Sequence, residues 1–428
     1  MLTEIEKNSC LTIEKQVYKG FGFAKKDGKA YFAVGAIAGD TIEYTSIESH
    51  KNYEKVQTKN IIKASPYRQK SKCDFSTECG GCQWLEMDYD RQIFWKRNIL
   101  SEILSRDIEV PENWELVPSL QNSNYRTRVT LRARFDDNGC LKLGFFRHLS
   151  RDFVEIDSCY VSHQSINNFI TSLKDFRNIK LRDLKFRFEI QILPDASNSK
   201  NMLVTIISAQ KGTQGVAELI GKIKNIPEVR SISSSQNNDS EFYLYDDYLG
   251  VKFYTKAQQF QQINQELNRV MQNDVYQLVK GRKLDSVLDL FCGSGNLSLP
   301  LANEVKKIVA VENNKNAIKA GNFNKKINKI SNIDFIEQDV ERYVKSLIKE
   351  KKSFNWVVLD PPRQGVKGLV PNIEELASDY VLYISCDPMS FARDIKEFKK
   401  FKIEYFKAFD FFPHTFHVES FCLLKRVN

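Results

Sequence analysis

Residues 287–302 read VLDLFCGSGNLSLPLA. An apolar run ends at Leu290, a turn spaced by Gly293 and Gly295 follows, and an apolar pattern resumes. That order predicts a strand, a tight loop and a helix, with glycines that let the backbone approach a ligand. Around it the chain alternates. Strands are predicted at 286–291, 307–312, 333–338, 356–360, 380–385 and 421–425, separated by helical stretches. That rhythm describes an α/β fold with a doubly wound parallel sheet from about residue 263 onward.

The ligand of the loop follows from its charges. A nicotinamide dinucleotide site would want GxGxxG, and this loop reads GSGNLS. Asp289 beneath it suits a cation better than a pyrophosphate. Glu312 ends the next strand, 17 residues past Gly295, where a carboxylate would hold a ribose diol. Asp339 follows the third strand. S-adenosylmethionine, with its sulfonium and amino groups, fits these acids.

Two more strand ends carry chemistry. VVLDPPRQG ends the fourth strand at Asp360, with Pro361 and Pro362 stiffening the turn. YISCDPMSF places Cys386 at the end of the fifth, where Asp387-Pro388 stops the strand and leaves the thiol at the ligand edge. Cys292 and Cys422 are read as structural. FFPHTFHVES, before the last strand, brings His414, His417 and Glu419 to the same edge. A metal on the two histidines lacks a third ligand. A thiol, a carboxylate and a methyl sulfonium together fit methylation of uracil C5. A thiolate adding to C6 makes C5 nucleophilic, and a base must then remove the C5 proton. Cys386 is the expected nucleophile and Glu419 the expected base.

Upstream, 428 residues allow two to four domains. Net charge is +9, and residues 1–72 hold 13 Lys/Arg against 8 Asp/Glu. A polyanion partner, RNA or DNA, is one reading, and a lysine-rich composition is the other. Short strands to about residue 62 predict a small barrel, with Lys51, Lys55, Lys59 and Lys63 as a phosphate-tracking stripe or a solvated face. A helix is expected over 90–106, with Phe94, Ile99, Leu100, Ile103 and Leu104 apolar and Lys96 and Arg97 off the stripe. NYRTRVTLRARF at 124–135 predicts a strand with Arg126, Arg128, Arg132 and Arg134 on one face, for nucleic acid or for acids on neighbouring strands. A β-rich middle domain extends to about 262. No apolar run approaches the ~18 residues of a membrane span, and MLTEIEKNSC has no leader pattern. A cytoplasmic location and no membrane contact are therefore expected.

Cys73, Cys79 and Cys82 follow C-x5-C-x2-C, with Cys159 far downstream. A zinc ribbon normally has two CxxC pairs and only one is present. Three clustered thiols and a remote fourth suit a [4Fe–4S] cluster better than zinc.

FQQIN at 260–264, DLFCGSGNLSL, DPPRQG, SCDP and FPHTFHVES occur in the order of a known family. The chain resembles the bacterial RNA uracil-5-methyltransferases. VYKGFGFAK with YFAVGAIAGD is similar to a TRAM domain, a small RNA-binding barrel, although AIAGD replaces a more usual proline-containing turn. CDFSTECGGC with EIDSCYV resembles the family's iron–sulfur signature. Both features together resemble the RumA (RlmD) type, which acts on 23S ribosomal RNA. The tRNA enzyme TrmA lacks both, and the RumB (RlmC) type lacks the TRAM domain.

The resemblance implies domains at 1–62 (TRAM), 63–262 (central, iron–sulfur) and 263–428 (methyltransferase). It implies S-adenosylmethionine contacts at Gln262, Phe291, Asn296, Glu312, Asp339 and Asp360, with Cys386 as nucleophile and Glu419 as base. It also implies a uridine flipped out of folded RNA, with Phe260 stacking on it or lying in the core. A monomer on 23S rRNA is expected. A tRNA enzyme, or an RNA-binding iron–sulfur protein with an inactive methyltransferase domain, is the alternative.

Overall fold

Six strands open the chain: β1 (Cys10–Thr12), β2 (Lys15–Gln16), β3 (Gly22–Lys26), β4 (Lys29–Val34), β5 (Thr41–Ser49) and β6 (Tyr53–Lys63). They lie in the order β1-β5-β6-β4-β3-β2. β1 and β2 are consecutive in the chain yet stand at opposite edges, so the sheet curls into a small barrel. Its core is Leu11, Ile13, Ala24, Ala33, Ala36, Ile42 and Val56. The AIAGD turn is held by Asp40, which is buried. Its carboxylate accepts from Ile37 N at 2.8 Å and Ser65 N at 2.9 Å and pairs with Arg68 at 2.6 Å. A charge-assisted bond network thus stands where a proline would stiffen the turn. On the rim, Lys55 pairs with Glu48 and Lys59 with Glu43. Half of the expected lysine stripe is therefore engaged with acids of its own sheet.

The structure is a computed structural model and describes residues 10–105, 108–173, 185–193, 200–208, 214–234 and 241–427. It divides into two units, one of Met1–Arg106, Phe145–Val154 and Phe412–Val418, the other of Asp107–Gly144, Glu155–Phe411 and Glu419–Asn428. In the first, α1 (Tyr89–Leu104) is capped by Asp88, which accepts from Arg91 N. Arg106 lies outside the described residues. The buried face of α1 is Gln92, Trp95, Lys96, Ile99, Leu100 and Leu104, a spacing of three and four. This corrects the expected stripe. Phe94 is 42% exposed, whereas Lys96 is 1% exposed and donates to Phe412 O at 3.0 Å. Gln92 accepts from His414 N at 2.8 Å and its amide lies 3.0 Å from His414 Nδ1. The two polar side chains on the buried face thus satisfy the Phe412–His414 backbone.

The second unit contains β7 (Glu115–Val117), β8 (Arg128–Phe135), β9 (Leu141–Phe146), β10 (Phe153–Glu155), α2 (Gln164–Leu173), β11 (Lys185–Ile192), β12 (Met202–Ser208), α3 (Gln214–Ile223) and β13 (Val229–Ser234). Its first sheet has the order β10-β9-β8-β11-β12-β13. β9 ends and β10 begins in the segment that clusters with the first unit. β8 alternates as expected, burying Val129, Leu131, Ala133 and Phe135. It begins at Arg128, however, and Arg126 precedes it in isolated bridges to Ser162 and Asn264. Arg128 pairs with Glu189 of β11 at 2.8 Å. For that arginine, acids on the neighbouring strand are the partner. A hairpin, β14 (Tyr243–Tyr248) and β15 (Val251–Thr255), follows.

The remaining elements are α4 (Gln265–Val279), β16 (Leu284–Leu290), β17 (Val305–Glu312), α5 (Lys315–Ile327), β18 (Ile333–Glu337), α6 (Val340–Lys349), β19 (Phe354–Leu359), α7 (Val370–Leu376), β20 (Ala377–Ser385), α8 (Pro388–Glu397), β21 (Phe401–Phe409) and β22 (Glu419–Arg426). The sheet order is β18-β17-β16-β19-β20-β22-β21-β7. The five strands from β18 to β20 are parallel, while β22 is antiparallel to both β20 and β21. The expected parallel sheet is thus mixed at one end. Runs such as Val357–Leu359 and Val381–Ile384 are buried throughout, as strands covered on both faces require. No helix among the described residues is long and apolar enough to cross a membrane.

Candidate active site

The glycine loop leaves β16 through an unusual backbone. Phe291 has φ +64°, with Gly293 at +56° and Gly295 at +89°. An aromatic residue in the left-handed region costs roughly 1–2 kcal/mol, a strain that marks ligand clamps. Gly295 is dictated by packing, since a Cβ there would lie 2.8 Å from Phe335 Cζ and 3.0 Å from Leu299 Cγ. At Gly293 a Cβ would meet nothing within 4 Å. The expected helix after the loop is replaced by turns, closed by Leu301 N to Ser298 O and Ala302 N to Leu299 O. Pro300 has no N–H to give a helix.

The acids expected to hold the methyl donor line this strand edge. Glu312 accepts from Gly293 N at 3.3 Å and from Asn314 N at 2.8 Å, tying the loop to the end of β17. Asp289 is buried and bonded to Ser298, while its Oδ1 has no partner. Burial pushes Asp289 up to about 7, against the Ser298 bond and with help from the charges of Asp360 and Glu312. An unpaired buried carboxylate oxygen on this strand edge fits a cationic donor such as S-adenosylmethionine. Asn296 is held by Asn268 and Gln272 of α4, each at 3.0 Å from its Oδ1. Phe291 and Gln262 are half-buried, and Gln262 O accepts from Tyr245 Oη at 3.0 Å. Asp339 is exposed and caps α6 through Arg342 N. Phe260 is 70% exposed, with the Arg128 guanidinium 5.8 Å from its ring centre.

Cys386 and Glu419 are brought together by sheet register. Ser385 pairs with Ser420 across β20 and β22. One step further along each antiparallel chain, the thiol and the carboxylate stand on facing positions of one sheet face. Cys386 is half-buried and Glu419 buried. Burial pushes the thiol up to about 12, aided by the charges of Glu419 and Asp360 and opposed by Arg363. Burial also raises Glu419 to about 8 and Asp360 to about 7. Asp387 accepts from Ser390 N at 2.7 Å and so starts α8, ending β20 just before the thiol. Burial thus favours the protonated forms of Cys386, Glu419 and Asp360. Cys292 and Cys422 are buried and raised by burial, as expected of structural thiols.

Cys73, Cys79 and Cys82 lie on turns of the first unit, and Cys159 belongs to the second, its N–H given to Asn167 at 2.8 Å. Among the described residues no group of three or more His, Cys, Asp or Glu is gathered to hold a metal. His414 and His417 do not form a metal pair either. His414 is bonded to Gln92, and His417 packs against Phe412 and Phe416.

A parallel sheet edge with a strained glycine loop, a carboxylate on the second strand and a facing thiol and carboxylate defines an S-adenosylmethionine-dependent methyltransferase of nucleic-acid bases. Residues 88–427 match the tRNA (Uracil-5-)-methyltransferase family. The chain belongs to that family and is an RNA (uracil-5-)-methyltransferase. It is 30% identical over 430 residues to an "Uncharacterized RNA methyltransferase" of Aquifex aeolicus, spanning 97% of this chain and 98% of that one. It is 29% identical to the 23S rRNA (uracil(1939)-C(5))-methyltransferase RlmD of Legionella pneumophila, over 96% and 95% of the two chains. Its fold matches the crystal structure of Pyrococcus abyssi tRNA (uracil-54, C5)-methyltransferase in complex with S-adenosyl-L-homocysteine, with TM-score 0.74, 24% identity and coverage of 97% and 99%.

Proposed function

We propose that this chain methylates C5 of a specific uridine in 23S ribosomal RNA through a covalent bond between Cys386 and uracil C6. The observation that carries the chemistry is the facing of Cys386 and Glu419. The near full-length likeness to an RlmD enzyme supports the ribosomal substrate.

Gln262, Phe291, Asn296, Glu312, Asp339 and Asp360 would hold S-adenosylmethionine, which supplies the electrophilic methyl group. Positive charge arriving beside Asp289 and Asp360 lowers the proton affinity of the whole edge, including Cys386 and Glu419. The Cys386 thiol gives its proton to water and the thiolate sulfur bonds to C6, pushing the C5–C6 π electrons onto C5, which uses them to take the methyl group from the donor sulfur. Glu419 removes the remaining C5 proton, and the electrons of that C–H bond expel the Cys386 sulfur. Exposed Phe260 would stack on the flipped base.

The barrel of residues 1–62 acts as a TRAM domain on RNA, residues 63–262 as the central domain, and residues 263–428 as the methyltransferase domain. The proposed [4Fe–4S] cluster on Cys73, Cys79, Cys82 and Cys159 rests on the motif and on thiolate softness. No step above uses it. Methylation mapping of ribosomal and transfer RNA from a strain lacking the gene tests the substrate. Loss of a 5-methyluridine in 23S rRNA supports the proposal, and loss confined to tRNA transfers the activity there.

A further inference from the structure

Behind the proposed catalytic pair lies a buried charge that takes no part in the steps above. Asp394 of α8 is 0% exposed. Its Oδ2 accepts from Tyr383 Oη at 2.6 Å and from Val366 N at 2.8 Å. Its Oδ1 accepts from Arg393 Nε at 2.8 Å and Nη2 at 2.6 Å, and the same Nη2 donates to Gln364 O at 2.7 Å. One carboxylate therefore ties three segments. These are α8, the strand β20 three residues before Cys386, and the turn that follows Asp360 and carries Arg363.

The turn is shaped for this grip. Gly365 has φ +71°, and a Cβ there would collide with Asp394 Oδ2 and lie 2.8 Å from Arg393 Nη2 and 3.1 Å from Tyr383 Oη. Only glycine allows the backbone to close on the carboxylate. Each bond is directed at a backbone or side-chain atom whose position sets a residue of the site. A fully satisfied buried network of this kind holds one geometry against its alternatives.

We propose that Asp394 is a positioning residue, which fixes the Pro361–Val366 turn, with Arg363 on it, against the end of β20 that leads into Cys386. Its value to turnover rests on the roles given above to that pair, whereas its effect on geometry does not. The charged groups facing Cys386 are Glu419 from β22, Asp360 from the end of β19 and Arg363 from the turn. Of these, only Arg363 favours the thiolate. Burial, the largest cause of the raised thiol, is set by β20 and its pairing with β22, which the turn does not form; releasing the turn removes the cation and leaves the two acids.

The test uses the full chain with Asp394→Asn, which keeps the shape and loses the charge. Alkylation of Cys386 by iodoacetamide is followed by peptide mass across pH 7–10, without RNA or methyl donor. The expected profile is displaced to higher pH, with a rate at pH 8.5 at least about five-fold below wild type. Turnover should fall about ten- to a hundred-fold in kcat, the scale of an ångström-level misplacement, with KM for RNA within about three-fold. Alkylation equal to or faster than wild type would overturn the proposal, whatever happens to activity. If Asp394→Asn does not fold, Tyr383→Phe removes a single arm and should move the alkylation profile in the same direction. An unmoved profile in folded Tyr383→Phe also overturns it. Because alkylation needs no RNA, a protein that proves not to use Cys386 in catalysis would fail the turnover arm alone.

Discussion

Cys386 and Glu419 occupy facing positions one step beyond the Ser385–Ser420 pair of β20 and β22. Antiparallel register alone brings together two residues 33 apart in the chain. Directly opposed Cβ atoms in such a pair lie about 4.5–5.5 Å apart, leaving space for a planar base to slip in beside them.

Cys386→Ala should abolish methyl transfer while S-adenosylhomocysteine binding stays within about three-fold. In the proposed mechanism the thiol acts on the base, while the expected donor acids lie on β16, on β17 and just after β19. Calorimetric titration and incorporation of labelled methyl groups check the two halves. Methylation retained by Cys386→Ala would remove the nucleophile from the account.

Stability of the ligand-free protein should fall as pH rises. Glu419 at about 8, with Asp360 and Asp289 at about 7, lies above the ordinary values of 4.5 and 3.8. Between those limits the folded chain binds more protons than the unfolded one, so the slope of stability against pH is negative. The loss begins above the ordinary values and is complete once pH has passed about 8. Thermal midpoints at pH 6 and pH 8.5 should show a drop, which S-adenosylhomocysteine reduces and Glu419→Gln lessens. A midpoint that rises over this interval contradicts the assignment of these acids.

The two loop glycines should separate folding from donor binding. Gly295→Ala forces a Cβ against Phe335 and Leu299 and should destabilise by about 1–3 kcal/mol. Gly293→Ala meets no protein atom within 4 Å, so it should cost about 1 kcal/mol of backbone strain and mainly weaken donor affinity. Urea titrations with and without S-adenosylhomocysteine distinguish them. Equal effects on both readouts for both variants would contradict the placement of the donor over Gly293.

Reconstitution with iron and sulfide under argon tests the cysteines. The motif predicts a brown protein whose colour is lost in Cys159→Ser. A colourless protein binding about one zinc instead would contradict the cluster.

The strand ends that carry Asp289, Glu312, Asp360 and Cys386 were legible because buried parallel strands read as apolar runs stopped by Gly, Pro or an acid. The sequence places Glu419 and Cys386 at one edge, and the register of β20 and β22 sets them opposite each other. What the sequence hid was mostly tertiary. β21 and β7 join the sheet through packing that no local period announces. Lys96 reads as a solvent lysine until the Phe412 carbonyl supplies its acceptor. Phe94 reads as core, yet α1 turns it outward beside Arg91, whose guanidinium lies 4.0 Å from its ring centre. The helix after the glycine loop was predicted from apolar spacing, and Pro300 breaks it. Asp394, Tyr383 and Gly365 are far apart in sequence and form one network only when α8 packs on β20.

Glu419→Gln gives the most direct measurement of the central claim. The amide keeps the shape of the side chain and cannot take the C5 proton. Cys386 can still add and C5 can still receive the methyl group, so the protein should stay bonded to its RNA. Denaturing electrophoresis of Glu419→Gln with substrate RNA and S-adenosylmethionine should show a shifted band, absent without the methyl donor and absent in Cys386→Ala/Glu419→Gln. Full turnover by Glu419→Gln with no covalent band would contradict the account and move the base to another group, with His417 the first to examine.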